Sequence, residues 1–104
     1  MPDFGLKDDD LFFVTETFRN DPGILGAGVF GSRAKGDYKP WSDLDIVLYG
    51  DLTPIDVERV TCDLEELPFV YKFDVVAYGL VKNSDFRRHL ERVAVSIYEK
   101  EHES

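Results

Sequence analysis

The sequence predicts an α/β (α+β) fold in which a small mixed β-sheet is flanked by about three or four helices. Helical and strand-like patterns alternate along the 104 residues, and 43% of the residues are hydrophobic. A chain of this length supports one modest core. We therefore expect a single domain over residues 1–104, with an N-terminal helical region over 1–23 and a core over 24–100.

The N-terminal region predicts a helix in "DDDLFFVTETFRNDPG", where acidic residues suit the first turn and Asn20 and Pro22 end the pattern. Its apolar stripe is expected to contain Leu11, Phe12, Thr15 and Phe18. A short apolar run over residues 24–30 then predicts a buried strand. Gly31 and Ser32 turn the chain after it, and "SRAKG" can form at most a short helix.

Residues 42–50 predict a second strand, in which Asp43 and Asp45 share one face. The other face carries the apolar residues Leu44, Ile46 and Leu48. A helix follows, with Thr53 as its N-cap and Pro54 as its first residue. Its single cysteine, Cys62, is expected to be buried or nearly so.

Residues 69–79 alternate well enough to predict a third strand, and this strand carries Asp74. The last predicted helix begins at Asn83 or Ser84 and continues to the end of "NSDFRRHLERVAVSIYEK". Its apolar face is expected to contain Phe86, Leu90, Val93 and Ile97. His89 and His102 have no neighbouring ligand residues, so we assign them no role.

Charge and cysteine content narrow the classes of partner. The formal net charge of -9 predicts repulsion of nucleic-acid polymers, whereas a small phosphorylated ligand remains compatible because bound divalent cations reverse the sign of a site. A single cysteine excludes an intramolecular disulfide and favours a cytoplasmic location. No apolar stretch predicts a membrane span or a signal peptide, so we expect no membrane partner.

Three aspartates form the first candidate site. An Asp-x-Asp pair alone carries little information, because the chain holds a second pair, Asp8 and Asp10, that suits a helix start. Asp43 and Asp45 differ by their strand setting and by the third strand-borne carboxylate, Asp74. Convergent carboxylates need a compensating cation, and Mg²⁺ prefers such oxygen ligands. The competing interpretation is a solvated strand face, which fits Asp74 best.

The Gly31–Ser32 turn supplies the complementary half of the candidate site. Gly31 lets the backbone approach a phosphate, and the Ser32 hydroxyl can donate a hydrogen bond to it. Arg33 and Lys35 suit either phosphate contacts or plain surface charge. Trp41 could stack on a nucleobase, although a core or interface position is the more common role of such a residue.

These residues resemble a known family. The stretch "GSRAKGDYKPWSDLD" is similar to the Gly-Ser, ten-residue gap, Asp-x-Asp signature of the DNA polymerase β-like nucleotidyltransferases. The short chain, the "GSRAxG" form and the ending "FRRHLERVAVSIYE" look most like the minimal nucleotidyltransferases, which are antitoxin partners of HEPN-domain proteins. The resemblance covers about residues 24–100 and implies the nucleotidyltransferase fold.

The resemblance also implies roles for single residues. Gly31 and Ser32 would hold the triphosphate of ATP, while Asp43 and Asp45 would ligate Mg²⁺, with two ions expected. Asp74 matches the third carboxylate, which in the family ligates metal and can act as the base for the attacking hydroxyl. Because all three acidic positions are filled, the motif predicts an active enzyme.

The expected function is therefore transfer of AMP from ATP to a hydroxyl. The chain is too short for a second acceptor-binding lobe, so the resemblance points to a tyrosine of a HEPN ribonuclease toxin, which the transfer would silence. An alternative is a binding module that neutralises the HEPN partner by masking its basic face. A third possibility, a small α/β protein of unrelated function, requires the motif to be accidental.

Overall fold

The computed structural model describes residues 4–101 and contains four α-helices and four strands in this range. The helices are α1 (Asp8–Arg19), α2 (Gly31–Lys35), α3 (Pro54–Glu65) and α4 (Ser84–Val93). The strands are β1 (Gly26–Phe30), β2 (Leu44–Tyr49), β3 (Phe73–Ala77) and β4 (Val95–Glu99), and a 3₁₀ turn spans Tyr78–Leu80. His102 lies outside the described residues.

The four strands form one mixed sheet in the order β3-β2-β1-β4. β1 pairs antiparallel with both β2 and β4, whereas β2 and β3 run parallel through the crossover helix α3. The predicted mixed sheet with flanking helices is confirmed. Among the described residues, no helix is long and apolar enough to cross a membrane.

The sheet divides two apolar clusters. On one face, Leu44, Ile46 and Leu48 of β2 pack against residues of α1 and α3, as the predicted alternation requires. On the other face, Val47 packs with Phe30 of β1 and Leu90 of α4. This second face also carries Asp45, so α4 and the acidic residues share one side of the sheet.

The predicted final helix is wrong at its C-terminal half. Asn83 caps α4 by accepting a hydrogen bond from Phe86 N at 2.9 Å, as expected, but the helix ends at Val93. The residues that follow form β4, and Ile97 lies on that strand. The spacing of Val93 and Ile97 fits a helix equally well, so pairing with the free edge of β1 decides the outcome.

Two burial predictions are also wrong. Val14 and Phe18 are the buried residues of α1, whereas Phe12 from the predicted stripe is 57% exposed. Cys62 lies on α3 but is exposed, because Val60 and Leu64 are the residues of that helix that face the core. The cap of α3 is as predicted, since Thr53 and Asp56 form a reciprocal capping box.

Candidate active site

The turn from β1 into α2 lies directly against an aspartate. Gly31 has a left-handed φ of +73°, and a Cβ at this position would overlap Oδ2 of Asp45. Only glycine fits such a backbone and such a contact without displacement. Ser32, the next residue, is half-buried in the first turn of α2.

The three predicted aspartates lie where the parallel strands β2 and β3 begin, a region here called the aspartate edge. Asp45 on β2 pairs in parallel register with Asp74 on β3, and Asp43 lies two residues before Asp45. Asp43 and Asp74 are exposed, whereas Asp45 is half-buried. The structure therefore places Gly31, Ser32 and the three carboxylates together, although 42 residue positions separate the first from the last along the chain.

The three carboxylates lie close enough to affect the ionisation of Asp45. Burial raises the pKa of Asp45 to about 6, and the negative charges of Asp74 and Asp43 add to the rise, as does a hydrogen bond with the Asp74 carboxyl. Between residues 4 and 101, no three acidic, histidine or cysteine side chains converge closely enough to hold a metal ion as they stand. The aspartates are thus near neighbours with a shared excess of negative charge rather than a closed metal cage.

Arg33 differs from its predicted role at the site, because its side chain is buried. Its side chain is only 2% exposed, and its guanidinium donates to the backbone carbonyls of Ser42, Phe4 and Pro40 at 2.8–3.2 Å. A guanidinium bonded in this way points into the protein, so the predicted contact of Arg33 with a phosphate does not fit its position. A sequence pattern could not show this, since the acceptors are backbone atoms of other segments.

The remaining basic and aromatic candidates lie at the surface. Lys35 is exposed and its Nζ lies 3.8 Å from the Asp37 carboxylate. Trp41 is 68% exposed, which excludes a core position, and the Lys39 ammonium lies 5.8 Å from its ring centroid. Two tyrosines that the sequence analysis did not single out, Tyr38 and Tyr71, contact the Arg33 guanidinium.

A surface groove lies away from the three aspartates and offers an alternative candidate for a binding site. A groove of about 390 Å³ lies between Gly26, Tyr49 and Tyr98, at the other end of β1 and β2, and none of the three aspartates lines it. Glu99 is the one acidic residue among the described residues that line it. We therefore place the candidate site at the aspartate edge, where the raised pKa and the glycine contact occur together.

The fold and this site define a small nucleotidyltransferase. The family described as "Polymerase beta, Nucleotidyltransferase" matches residues 14–103, and the chain therefore belongs to this family. The resemblance noted from the Gly-Ser and Asp-x-Asp motifs is confirmed, as is the predicted enzyme class.

Known proteins similar to this chain include a curated relative and two crystal structures. A "Probable protein adenylyltransferase MntA" from Haemophilus influenzae is 28% identical over 99 residues, covering 92% of this chain and 85% of the relative. A toxin-antitoxin structure with AMP-PNP has a TM-score of 0.73 at 16% identity, covering 91% of this chain and 75% of the other. A toxin-antitoxin MntA-HepT structure has a TM-score of 0.68 at 13% identity, covering 90% and 74%.

Proposed function

We propose that this protein is a Mg²⁺-dependent nucleotidyltransferase that transfers AMP from ATP to a hydroxyl. The observation that carries the proposal is the contact of the Gly31 backbone with the Asp45 carboxylate, beside Asp43 and in register with Asp74. A phosphate at the turn would lie next to the acidic group. The relative named as a protein adenylyltransferase and the related structure with AMP-PNP support the choice of nucleotide.

The donor set fits a divalent cation. Asp43, Asp45 and Asp74 offer carboxylate oxygens, which Mg²⁺ prefers. Burial, together with the negative charges of Asp74 and Asp43, raises the pKa of Asp45, and a bound cation would offset both effects. Binding requires these side chains to converge further than they do in the structure. Asp43, Asp45 and Asp74 would hold the Mg²⁺, for which we propose two ions, and the metal would supply neutralisation of the triphosphate charge and polarisation of the reacting phosphate.

The protein side chains have separate roles in the transfer. Backbone N–H groups at Gly31 and the Ser32 hydroxyl hold the triphosphate oxygens. The acceptor oxygen forms a bond to the α-phosphorus, the bond to the bridging oxygen breaks, and pyrophosphate leaves. Asp74, exposed on the edge strand β3, accepts the proton of the acceptor hydroxyl.

The acceptor comes from another molecule in this proposal. The described chain forms one sheet with its helices and provides no second lobe beside the aspartates. We propose a HEPN-type ribonuclease toxin as the partner and one of its tyrosines as the acceptor, so that this chain acts as the antitoxin in the cytoplasm. The related MntA-HepT toxin-antitoxin structure supports this assignment.

The test is co-expression with a candidate HEPN-type toxin, followed by intact-mass measurement of that toxin. Wild type is expected to give an AMP adduct. Asp43→Ala and Asp74→Ala should lower the yield by about 100-fold or more, as expected for loss of a preorganised electrostatic group. Asp8→Ala is the matched control, because it removes a carboxylate from an Asp-x-Asp pair on α1. Adduct formation at the wild-type level in both site variants would refute the proposal.

A second function, neutralisation by masking, is favoured by the formal net charge of -9, which complements a basic RNA-binding face. It predicts a toxin that is tightly bound, inactive and free of any nucleotide adduct. It also predicts that Asp43→Ala still neutralises the toxin. The same co-expression experiment therefore separates the two functions.

A further inference from the structure

Arg33 has an unusual environment for a charged side chain. It is the one buried charged residue in the described part of the chain. Its Nη1 donates to Phe4 O at 2.8 Å, its Nε and Nη2 donate to Ser42 O at 3.1 and 2.9 Å, and its Nη2 donates to Pro40 O at 3.2 Å. Four hydrogen bonds to neutral acceptors thus satisfy the buried guanidinium.

Two aromatic rings complete this environment. The Arg33 guanidinium carbon lies 5.2 Å from the Tyr38 ring centroid and 4.6 Å from that of Tyr71. Both distances suit cation–π attraction, which is stronger away from solvent. The hydroxyl of Tyr71 is buried without a hydrogen-bond partner among the described residues, so the ring is the part of Tyr71 that serves Arg33.

Apart from Phe4 O, the groups that contact Arg33 lie in segments that lead directly into residues of the proposed site. Arg33 follows Ser32 directly, and its acceptor Ser42 precedes Asp43 directly. Tyr71 lies three residues before Asp74, in the segment where Leu44 N donates to Lys72 O and begins the pairing of β2 with β3. A single side chain therefore connects the phosphate turn with the segments that carry two of the aspartates.

We propose that Arg33 is a positioning residue for nucleotidyl transfer: its guanidinium fixes the loop over residues 36–43 and so sets where Asp43 lies relative to Ser32 and Asp74. The loop needs such support, because Asp43 itself is exposed and lies one residue before β2. The activity part of this inference rests on the proposed function, whereas the effect on the loop does not.

Lysine cannot replace arginine in this role. The guanidinium presents five N–H donors in a planar fork, and here that fork reaches three carbonyls while two tyrosine rings have their centroids within 5.2 Å of its central carbon. An ammonium keeps the charge but acts as a compact point donor. Arg33→Lys should therefore preserve the fold and loosen the loop, and Lys35→Met, on the same helix but exposed, is the matched control.

The first measurement is hydrogen exchange of the whole protein without nucleotide or partner. Arg33→Lys is expected to speed exchange in residues 36–44 by about tenfold or more, the effect of about 1.4 kcal/mol of lost local stability, while α3 stays at the wild-type rate. Lys35→Met should leave α3 unchanged and alter exchange in residues 36–44 by less than about threefold, because the ion pair that it removes, with Asp37, is exposed. Unchanged exchange in residues 36–44 of Arg33→Lys would overturn the proposal, even if nucleotidyl transfer itself were never observed.

The second measurement separates positioning from phosphate binding. With ATP and the toxin, Arg33→Lys should lower kcat by about 10–100-fold, as for loss of groups that orient metal ligands, and leave KM for ATP within about threefold. A rise in KM at constant kcat would instead show a phosphate contact and overturn the proposal. Arg33→Met should exceed the effect of Arg33→Lys in both measurements, and if Arg33→Met does not fold, Arg33→Lys decides alone.

Discussion

Aspartate side chains have opposite effects at the N-terminus of α3 and at the aspartate edge. At α3, the backbone N–H of Thr53 donates to Asp56 at 2.8 Å, its hydroxyl donates as well, and these bonds lower the pKa of Asp56. At the aspartate edge, burial and two neighbouring carboxylates raise the pKa of Asp45. The first aspartate stabilises the fold, whereas ionisation of the second is unfavourable and would be favoured by a bound cation.

A substitution at the contact between Gly31 and the Asp45 carboxylate should have the largest effect on stability and activity. Gly31→Ala adds a Cβ that overlaps Asp45 and also forces alanine into a left-handed backbone, which alone costs about 1–2 kcal/mol. We expect a larger loss of unfolding free energy than this and loss of nucleotidyl transfer. Chemical denaturation and the adduct assay provide the measurements.

Gly36→Ala is the matched control for that substitution. Gly36 also has a left-handed φ, of +92°, but a Cβ there meets no atom within 4 Å. It should therefore show only the backbone cost of about 1–2 kcal/mol and retain transfer. Equal losses in the two variants would mean that the contact with Asp45 has no energetic importance.

The charge of Asp45 should make stability depend on pH. The folded carboxyl has a pKa of about 6 against an ordinary value of 3.8, so the folded state binds more protons between these values and wild type loses stability as pH rises through them. Asp45→Asn avoids this loss. Without Mg²⁺, it should be more stable than wild type by about 1–2 kcal/mol at pH 7.5, after allowance for solvent screening.

The same pair of proteins supplies its own control at low pH. Below pH 4 both wild type and Asp45→Asn carry a neutral side chain, so thermal unfolding should give nearly equal Tm values there. A stability difference that persists unchanged at pH 3.5 would assign the effect to packing and not to ionisation.

Substitutions in the cap of α3 should change the stability of the fold and not the transfer reaction. Thr53→Ala removes the oxygen that accepts from Asp56 N at 3.2 Å and should cost about 1 kcal/mol of unfolding free energy, with no effect on transfer per folded molecule. Thr53→Ser retains the oxygen and should stay close to wild type. A fall in transfer by Thr53→Ala at full folding would show that the two regions are coupled.

The smallest effect is expected at Cys62, on the exposed side of the same helix. Cys62→Ser should change the unfolding free energy by less than about 0.5 kcal/mol. Iodoacetamide should label the wild-type thiol in the folded protein. Protection of that thiol until the protein unfolds would restore the original prediction of a buried cysteine.

Sequence reasoning succeeded where the information is local. The Gly31–Ser32 turn, the Thr53 cap and the alternation of β2 depend on neighbouring residues, and each is found as predicted. It failed where partners are remote. β4 requires the free edge of β1, and the burial of Arg33 requires carbonyls from two other segments.

The parallel register between β2 and β3 also determines which changes the site can tolerate. Asp45 lies opposite Asp74 because Leu44 pairs with Phe73 and Ile46 with Val75. Shifting β3 by one residue would turn Asp74 to the opposite face of the sheet, whatever the length of the connection before it. Insertions between α3 and Tyr71 should therefore leave Asp74 opposite Asp45 whenever the pairing is kept, because the register and not the length of the connection determines this position.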